Sequence, residues 1–252
     1  MAGSVIKIKG LSKQFDDLVV LDDISLNVED AENLVVFGRS GTGKSVLLKC
    51  IVGLLKPDSG EIMINDENVW KISGIRLNEI RKHLGFLFQG AALYDSMSVR
   101  ENLQFPLKMH FDFDQKEMDE KAIKTLELVS LEDAIDKMPS ELSGGMRKRI
   151  GLARSIITDP DIMFYDEPTT GLDPISSKEI SELILNLQKK LKMTSIIVTH
   201  DLICAEIIAD RAIFLRDGKV AYEGEIDELT RSSDPFLKNF FSNEIIEEER
   251  SS

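Results

Sequence analysis

Residues Gly38 to Ser45 read GRSGTGKS, and this octapeptide constrains the chain more than any other stretch. It fits the phosphate-binding pattern G-x-x-x-x-G-K-[ST] at every fixed position. The apolar run Leu34 to Phe37 ahead of it reads as a short buried strand, and the pattern behind it turns helical through SVLLKCIVGLL until KPDSG stops it. A strand, a glycine-rich loop and a helix in that order let backbone N–H groups point inward at phosphate oxygens, with the helix N-terminus adding its positive dipole end. Gly38, Gly41 and Gly43 supply the curl, with Arg39, Ser40, Thr42 and Val46 completing the cradle. Lys44 is expected at the β- and γ-phosphates, and Ser45 on Mg²⁺.

A second element supports the first. Ile162 to Tyr165 form a short apolar strand, and Asp166 emerges at its carboxyl end, where ligands collect in open α/β sheets. Asp166 is therefore a candidate Mg²⁺ ligand. Glu167, next in the chain, is placed to accept a proton from an attacking water. Elsewhere, strands alternate with helices, which implies a parallel sheet with helical faces. The initial VIKIKGLSKQF and LVVLDDISLNV alternate as strands, and EIMIND and LGFLFQ read as two more. Residues 99–157 read as mostly helical, with Met118, Ala122, Leu126 and Val129 on one apolar stripe. A helix through ISSKEISELILNLQKKL, a strand at TSIIVTH, a helix from Asp201 to Ala209 and a hairpin turning at Asp217-Gly218 follow.

Charge narrows the partners. The chain of 252 residues carries 31 Lys and Arg against 44 Asp and Glu, a formal net charge of -13. That balance disfavours a nucleic-acid grip and a polybasic membrane anchor. No stretch approaches the ~20 apolar residues of a membrane-spanning helix, and the N-terminus lacks the apolar core of a secretory signal. Cys50 and Cys204, in apolar surroundings, suit a reducing compartment. The guanine-reading N-K-x-D pattern is absent, so a GTPase is disfavoured.

The stretch ELSGGMRKRIGLARSI, from Glu141 to Ile156, separates this chain from other nucleotide binders. Ser143, Gly144 and Gly145 stand at an expected helix start, where hydroxyl, amides and dipole favour an anion. A chain with one phosphate cradle thus owns a second anion-binding end, which a head-to-tail dimer explains economically. With these motifs in this order, the chain resembles the ATP-binding subunit of ABC transporters over almost its whole length. LSGGM resembles the family signature LSGGQ, with Met146 in place of the glutamine. The resemblance implies that Phe15 stacks on adenine, that Gln89 senses the γ-phosphate and Mg²⁺, that Asp173 lies in the D-loop and that His200 is the switch histidine. It implies an α/β fold, a P-loop NTPase (RecA-like) core with a small antiparallel β subdomain and a helical subdomain. Within one domain over 1–252, residues 1–90 and 158–225 would form the core with its β part. Residues 91–157 would form the helical part and 226–252 a helical, acidic extension.

The LSGGM signature, the run FQGAALYDSMSVRENLQFPL and YDEPTTGLDP together resemble, more narrowly, the ATPase subunit of Mla-type lipid transporters. That resemblance implies ATP and Mg²⁺ as cofactors and a homodimer of ATPase subunits. It also implies an integral-membrane permease, with an MCE-domain protein and a small regulatory subunit as further partners. The chain would sit at the cytoplasmic face of the inner membrane, held peripherally through the permease. Two readings stand beside it: a single-cassette ABC ATPase of cell division or cofactor assembly, and the ATPase of an importer or exporter for a non-lipid substrate. The permease surface is expected near Ala91 to Leu107, where Tyr94, Met97, Phe105 and Leu107 either meet the partner or pack internally. His83, His110 and Trp70 read as surface or packing residues, and Arg147, Lys148 and Arg149 as a solvated face or contacts near the closed site.

Overall fold

The computed structural model describes residues 3–242. Two long strands open the chain, β1 (Ser4–Phe15) and β2 (Leu18–Glu29). They pair antiparallel, with Ile6 opposite Val28 and Ile8 opposite Leu26. The core strand β3 (Asn33–Phe37) and helix α1 (Lys44–Ile51) flank the phosphate loop. Strands β4 (Ser59–Ile64) and β5 (Glu67–Asn68) return to the first pair, giving a four-stranded antiparallel sheet in the order β2-β1-β4-β5.

Helix α2 (Gly74–Lys82) leads to β6 (Leu84–Leu87), and helices α3 (Val99–His110), α4 (Gln115–Leu128) and α5 (Gly144–Ile156) follow. The chain then alternates through β7 (Ile162–Asp166), α6 (Pro174–Leu191), β8 (Thr194–Val198) and α7 (Leu202–Ile208). It closes with β9 (Arg211–Arg216), β10 (Lys219–Gly224), α8 (Ile226–Thr230) and a last helix over residues 235–242. The second sheet runs β10-β9-β3-β8-β7-β6, parallel throughout except for the edge strand β10. Asp217 and Gly218 turn that final hairpin at φ +50° and +76°, as a two-residue hairpin loop requires.

Strand period two divides the interior into two cores. Val35 and Phe37 of β3 face a core shared with α3 to α7, whereas Leu34 and Val36 face one shared with β1, β2, β4 and α1. The stripe Met118, Ala122, Leu126 and Val129 is buried, as its spacing predicts. Ser98–Glu101 and Asp114–Glu117 form capping boxes that start α3 and α4. Phe236, Phe240 and Phe241 of the last helix pack against Phe214 and Phe37. The acidic tail from Asn243 lies outside the described residues.

One expectation needs correction, one helix was not anticipated, and one open alternative is decided. Helix α1 ends at Ile51 rather than running through Leu55, because Gly53 adopts φ +76°. Helix α2 escapes periodicity because Ile80 is its only buried residue. Leu107 belongs to the core, so of the four residues expected at a permease surface it offers nothing to a partner, and Tyr94 is the exposed one.

Candidate active site

The carboxyl ends of β3, β7 and β8 lie side by side and open into a cleft of about 770 Å³. Gly38, Arg39, Ser40, Gly41, Gly43, Lys44, Ser45 and Val46 line it, with Phe15, Gln89, Glu167 and His200. Expected residues from five separate stretches of sequence thus meet in one place. Val20 and Phe240 also line it, and sequence patterning offered no sign of either.

The loop takes its shape from close approach. Gly43 has φ +97°, and a Cβ there would sit 2.9 Å from the Val20 carbonyl oxygen, so only glycine fits. Gly43 is also the N-cap of α1, has no side chain to cap it, and is followed by a first turn without acidic residues. The leading amides of α1 are therefore left for an anion. Lys44 is buried, and its Nζ donates to the carbonyl oxygens of Gly38 at 2.6 Å and Arg39 at 3.3 Å. The same ammonium lies 3.9 Å from Oε1 of Glu167. The Thr42 hydroxyl donates to the Arg39 carbonyl.

Across the cleft, Ser45 Oγ donates to Oδ1 of Asp166 at 2.9 Å, joining α1 to the end of β7. Glu167 sits at φ +52°, a left-handed conformation that a glutamate adopts only under constraint. Its N–H donates to the Val198 carbonyl at 2.8 Å, which locks the turn against β8. This aims its carboxylate at His200, whose Nδ1 lies 2.8 Å from Oε2. Thr170 Oγ1 donates weakly to the same oxygen at 3.4 Å.

Ser143, Gly144, Gly145 and Asp173 do not join this cleft. Ser143 is the N-cap of α5, its Oγ accepting from the Met146 N–H. Asp173 is the N-cap of α6, accepting from the amides of Ile175 and Ser176 and the Ser176 hydroxyl. The Ser176 bonds hold its carboxyl below the usual range. Phe15 stands half-exposed at the rim, with Lys13 Nζ 5.3 Å from its ring centre.

The basic run departs from a solvated face. Arg147 is exposed, and Arg149 donates to the Val129 carbonyl and to Glu179, but Lys148 is buried. Burial lowers the pKa of the Lys148 ammonium, and the charges of Glu167 and Asp166 oppose that shift. His83 lies exposed, 3.2 Å from Asp161, and His110 is exposed beside Met109. Trp70 is half-buried, its indole N–H donating to the Cys50 carbonyl.

A loop of backbone donors, a lysine, and a carboxylate held by a histidine define a phosphate-loop nucleoside triphosphatase. Comparison with known proteins narrows that class. The family model described as ABC transporter matches residues 21–170. The intermembrane phospholipid transport system ATP-binding protein MlaF of Haemophilus influenzae is 39% identical over 97% of this chain and 92% of its own length. The probable ribonucleotide transport ATP-binding protein mkl of Mycobacterium leprae is 38% identical over 97% of this chain and 70% of its own. Among solved structures, the dimeric post-hydrolysis state of the ATP-binding cassette MJ0796, bound to ADP and Pi, aligns with a TM-score of 0.80. It shares 30% identity and covers 88% of this chain and 98% of its own. The chain belongs to the ABC transporter family and is an ATP-hydrolysing subunit of it.

Proposed function

We propose that this chain powers phospholipid transport across a bacterial envelope, as a homodimer whose two chains close over ATP. The observation that carries the dimer is the position of Ser143 to Gly145. Their anion-favouring helix end does not line this chain's own cleft, so it is available to a nucleotide held by a second copy. Lipid as the cargo rests on the near full-length similarity to a phospholipid-transport ATPase. A second reading, a non-lipid substrate, draws on the similar identity of the relative named for ribonucleotide transport.

In this reading the loop amides and Lys44 hold the β- and γ-phosphates, Phe15 takes the adenine ring and Asp173 lies at the dimer seam. Glu167 draws a proton from a water, whose oxygen attacks the γ-phosphorus in line. The bond to the ADP oxygen breaks, leaving ADP and phosphate. His200 holds the Glu167 carboxylate at the angle this needs. Ser45 and Asp166 converge through oxygen atoms alone, with Gln89 nearby, and this hard-donor set fits Mg²⁺, which favours one or two protein oxygens beside phosphate oxygens. Those three residues would hold the ion, which supplies positive charge to the phosphates when bound.

No helix among the described residues is long and apolar enough to cross a membrane. We place the chain at the cytoplasmic face of the inner membrane, bound through a permease. Its docking site is a shallow groove of about 210 Å³ formed by Tyr94, Phe105, Pro106, Met109, His110 and Arg154. An MCE-domain protein and a small regulatory subunit complete the assembly, with no nucleic acid. Purification from native membranes through a tagged copy tests this reading. A polytopic permease, an MCE-domain protein and bound phospholipid are expected; a permease without lipid or MCE-domain partner would overturn it.

A further inference from the structure

Lys148 makes contacts that its place in a basic run does not suggest. Its Nζ donates to the Gln89 carbonyl at 2.5 Å and to the Glu167 carbonyl at 3.2 Å. An ammonium has three donors and no acceptor, so two carbonyl oxygens from different strand ends are suitable partners. Burying that charge is unfavourable unless it is so bonded. Helix α5 therefore holds the backbone of both residues directly.

The same helix face grips the loop further along. Gly151, one step of three beyond Lys148, lies so close to the loop that a Cβ on it would stand 2.8 Å from the Ala91 Cβ. Arg154, another three on, donates to the Ala92 carbonyl at 2.7 Å and the Ala91 carbonyl at 3.2 Å. Positions spaced by three form one ridge on a helix. The loop they hold is constrained: Ala91 and Ala92 have φ +59° and +50°, a conformation alanine avoids without outside support. Glu167 shares that left-handed conformation.

We propose that Lys148 is a positioning residue that sets Gln89 and Glu167 relative to one another and ties both to α5. Gln89 lines the cleft where phosphate is held, and Glu167 carries the carboxylate beside it. Because α5 begins at Ser143, a nucleotide engaged there by the second chain shifts the helix, and Lys148 carries that shift to both residues. This inference rests on the reading of Glu167 as the base.

The test uses the full chain in three variants, Lys148→Met, Lys148→Arg and Glu167→Gln. Phosphate release gives kcat, and titration with a fluorescent ATP analogue gives affinity. Lys148→Met keeps the packing of the methylene stem and removes both donations. Its kcat is expected to fall about 100-fold, as misplacement of a reacting group does. Its ATP affinity and melting temperature should stay close to wild type, and amide exchange over residues 88–92 should quicken. Lys148→Arg should recover most of the lost rate. If Lys148→Met fails to fold, Lys148→Ala, which also removes both donations, carries the same test. Unchanged kcat, or a joint loss of kcat, affinity and melting temperature that arginine does not recover, overturns the proposal. Full turnover in Glu167→Gln instead overturns the reading beneath it. Loss there with full turnover in Lys148→Met overturns the positioning role alone.

Discussion

His200 Nδ1 lies 2.8 Å from Oε2 of Glu167, joining the segments that leave two neighbouring parallel strands. The register explains the meeting: Asp166 pairs with Val198, so the ends of β7 and β8 are level and the residues beyond them emerge together. A base and the group that orients it act as one unit. Glu167→Gln should lower phosphate release by about 100-fold to 10,000-fold, the range for a positioned acid or base, while ATP still binds. His200→Ala should also slow release. The double variant should be no slower than Glu167→Gln alone. Additive losses in single-turnover rates would show that the two residues act separately.

Lys44 is a buried cation whose ammonium donates to the carbonyl oxygens of Gly38 and Arg39. A hydrogen bond to a charged group is worth about 1.5–3 kcal/mol, so Lys44→Ala should weaken ATP binding by roughly tenfold or more. Equilibrium titration measures this. An unchanged dissociation constant would mean that phosphate is held elsewhere.

Local patterns made much of this legible, and its gaps have physical causes. The strand-loop-helix unit around Lys44 is encoded by adjacent residues, and so are the caps Ser143 and Asp201. The parallel order could be anticipated from alternation. Lys148 could not be placed, because a lysine between two arginines reads as solvated and only the approach of two distant carbonyls shows otherwise. Phe240 escaped for a related reason: it reaches the cleft from the last helix, more than 200 positions after Gly38 in a chain of 252 residues. Asp173, placed in the D-loop by resemblance, shows its cap in the sequence Asp-Pro-Ile-Ser, and within one chain the cap is where its carboxylate is engaged.

The two thiols should be inert in the folded chain. Burial pushes Cys50 up to about 11 and Cys204 up to about 12. Both stay protonated at pH 8, where a thiolate is needed for alkylation. Iodoacetamide should therefore leave the native protein unlabelled and modify both residues once it is unfolded. The same shifts affect stability. Above the ordinary thiol value of 9.0 the unfolded chain loses these protons while the folded chain keeps them. The contribution is therefore fully present below that pH and is lost as pH rises through the folded values. A denaturation series should show the unfolding midpoint falling between pH 9 and pH 11; rapid labelling of the native form at pH 8 would contradict the burial.

Phe241 links the last helix to the phosphate loop. Its ring meets Phe37 edge-on at 5.7 Å, and Phe37 directly precedes Gly38. Phe240 adds a second edge contact to Phe37 at 6.0 Å and one to Phe214 at 4.6 Å. Removing a buried phenyl ring costs about 3–5 kcal/mol. At about 2–4 °C per kcal/mol for a domain of this size, Phe241→Ala should lower the melting temperature by roughly 6–20 °C. Phe241→Leu, which refills most of the space, should lose much less. The rise in melting temperature on adding ATP should also shrink in Phe241→Ala, because nucleotide stabilises only the form in which the loop is set. A scan with and without ATP checks both effects. A fall under about 2 °C would mean that the ring contributes less than one kcal/mol, too little for a phenyl buried against Phe37.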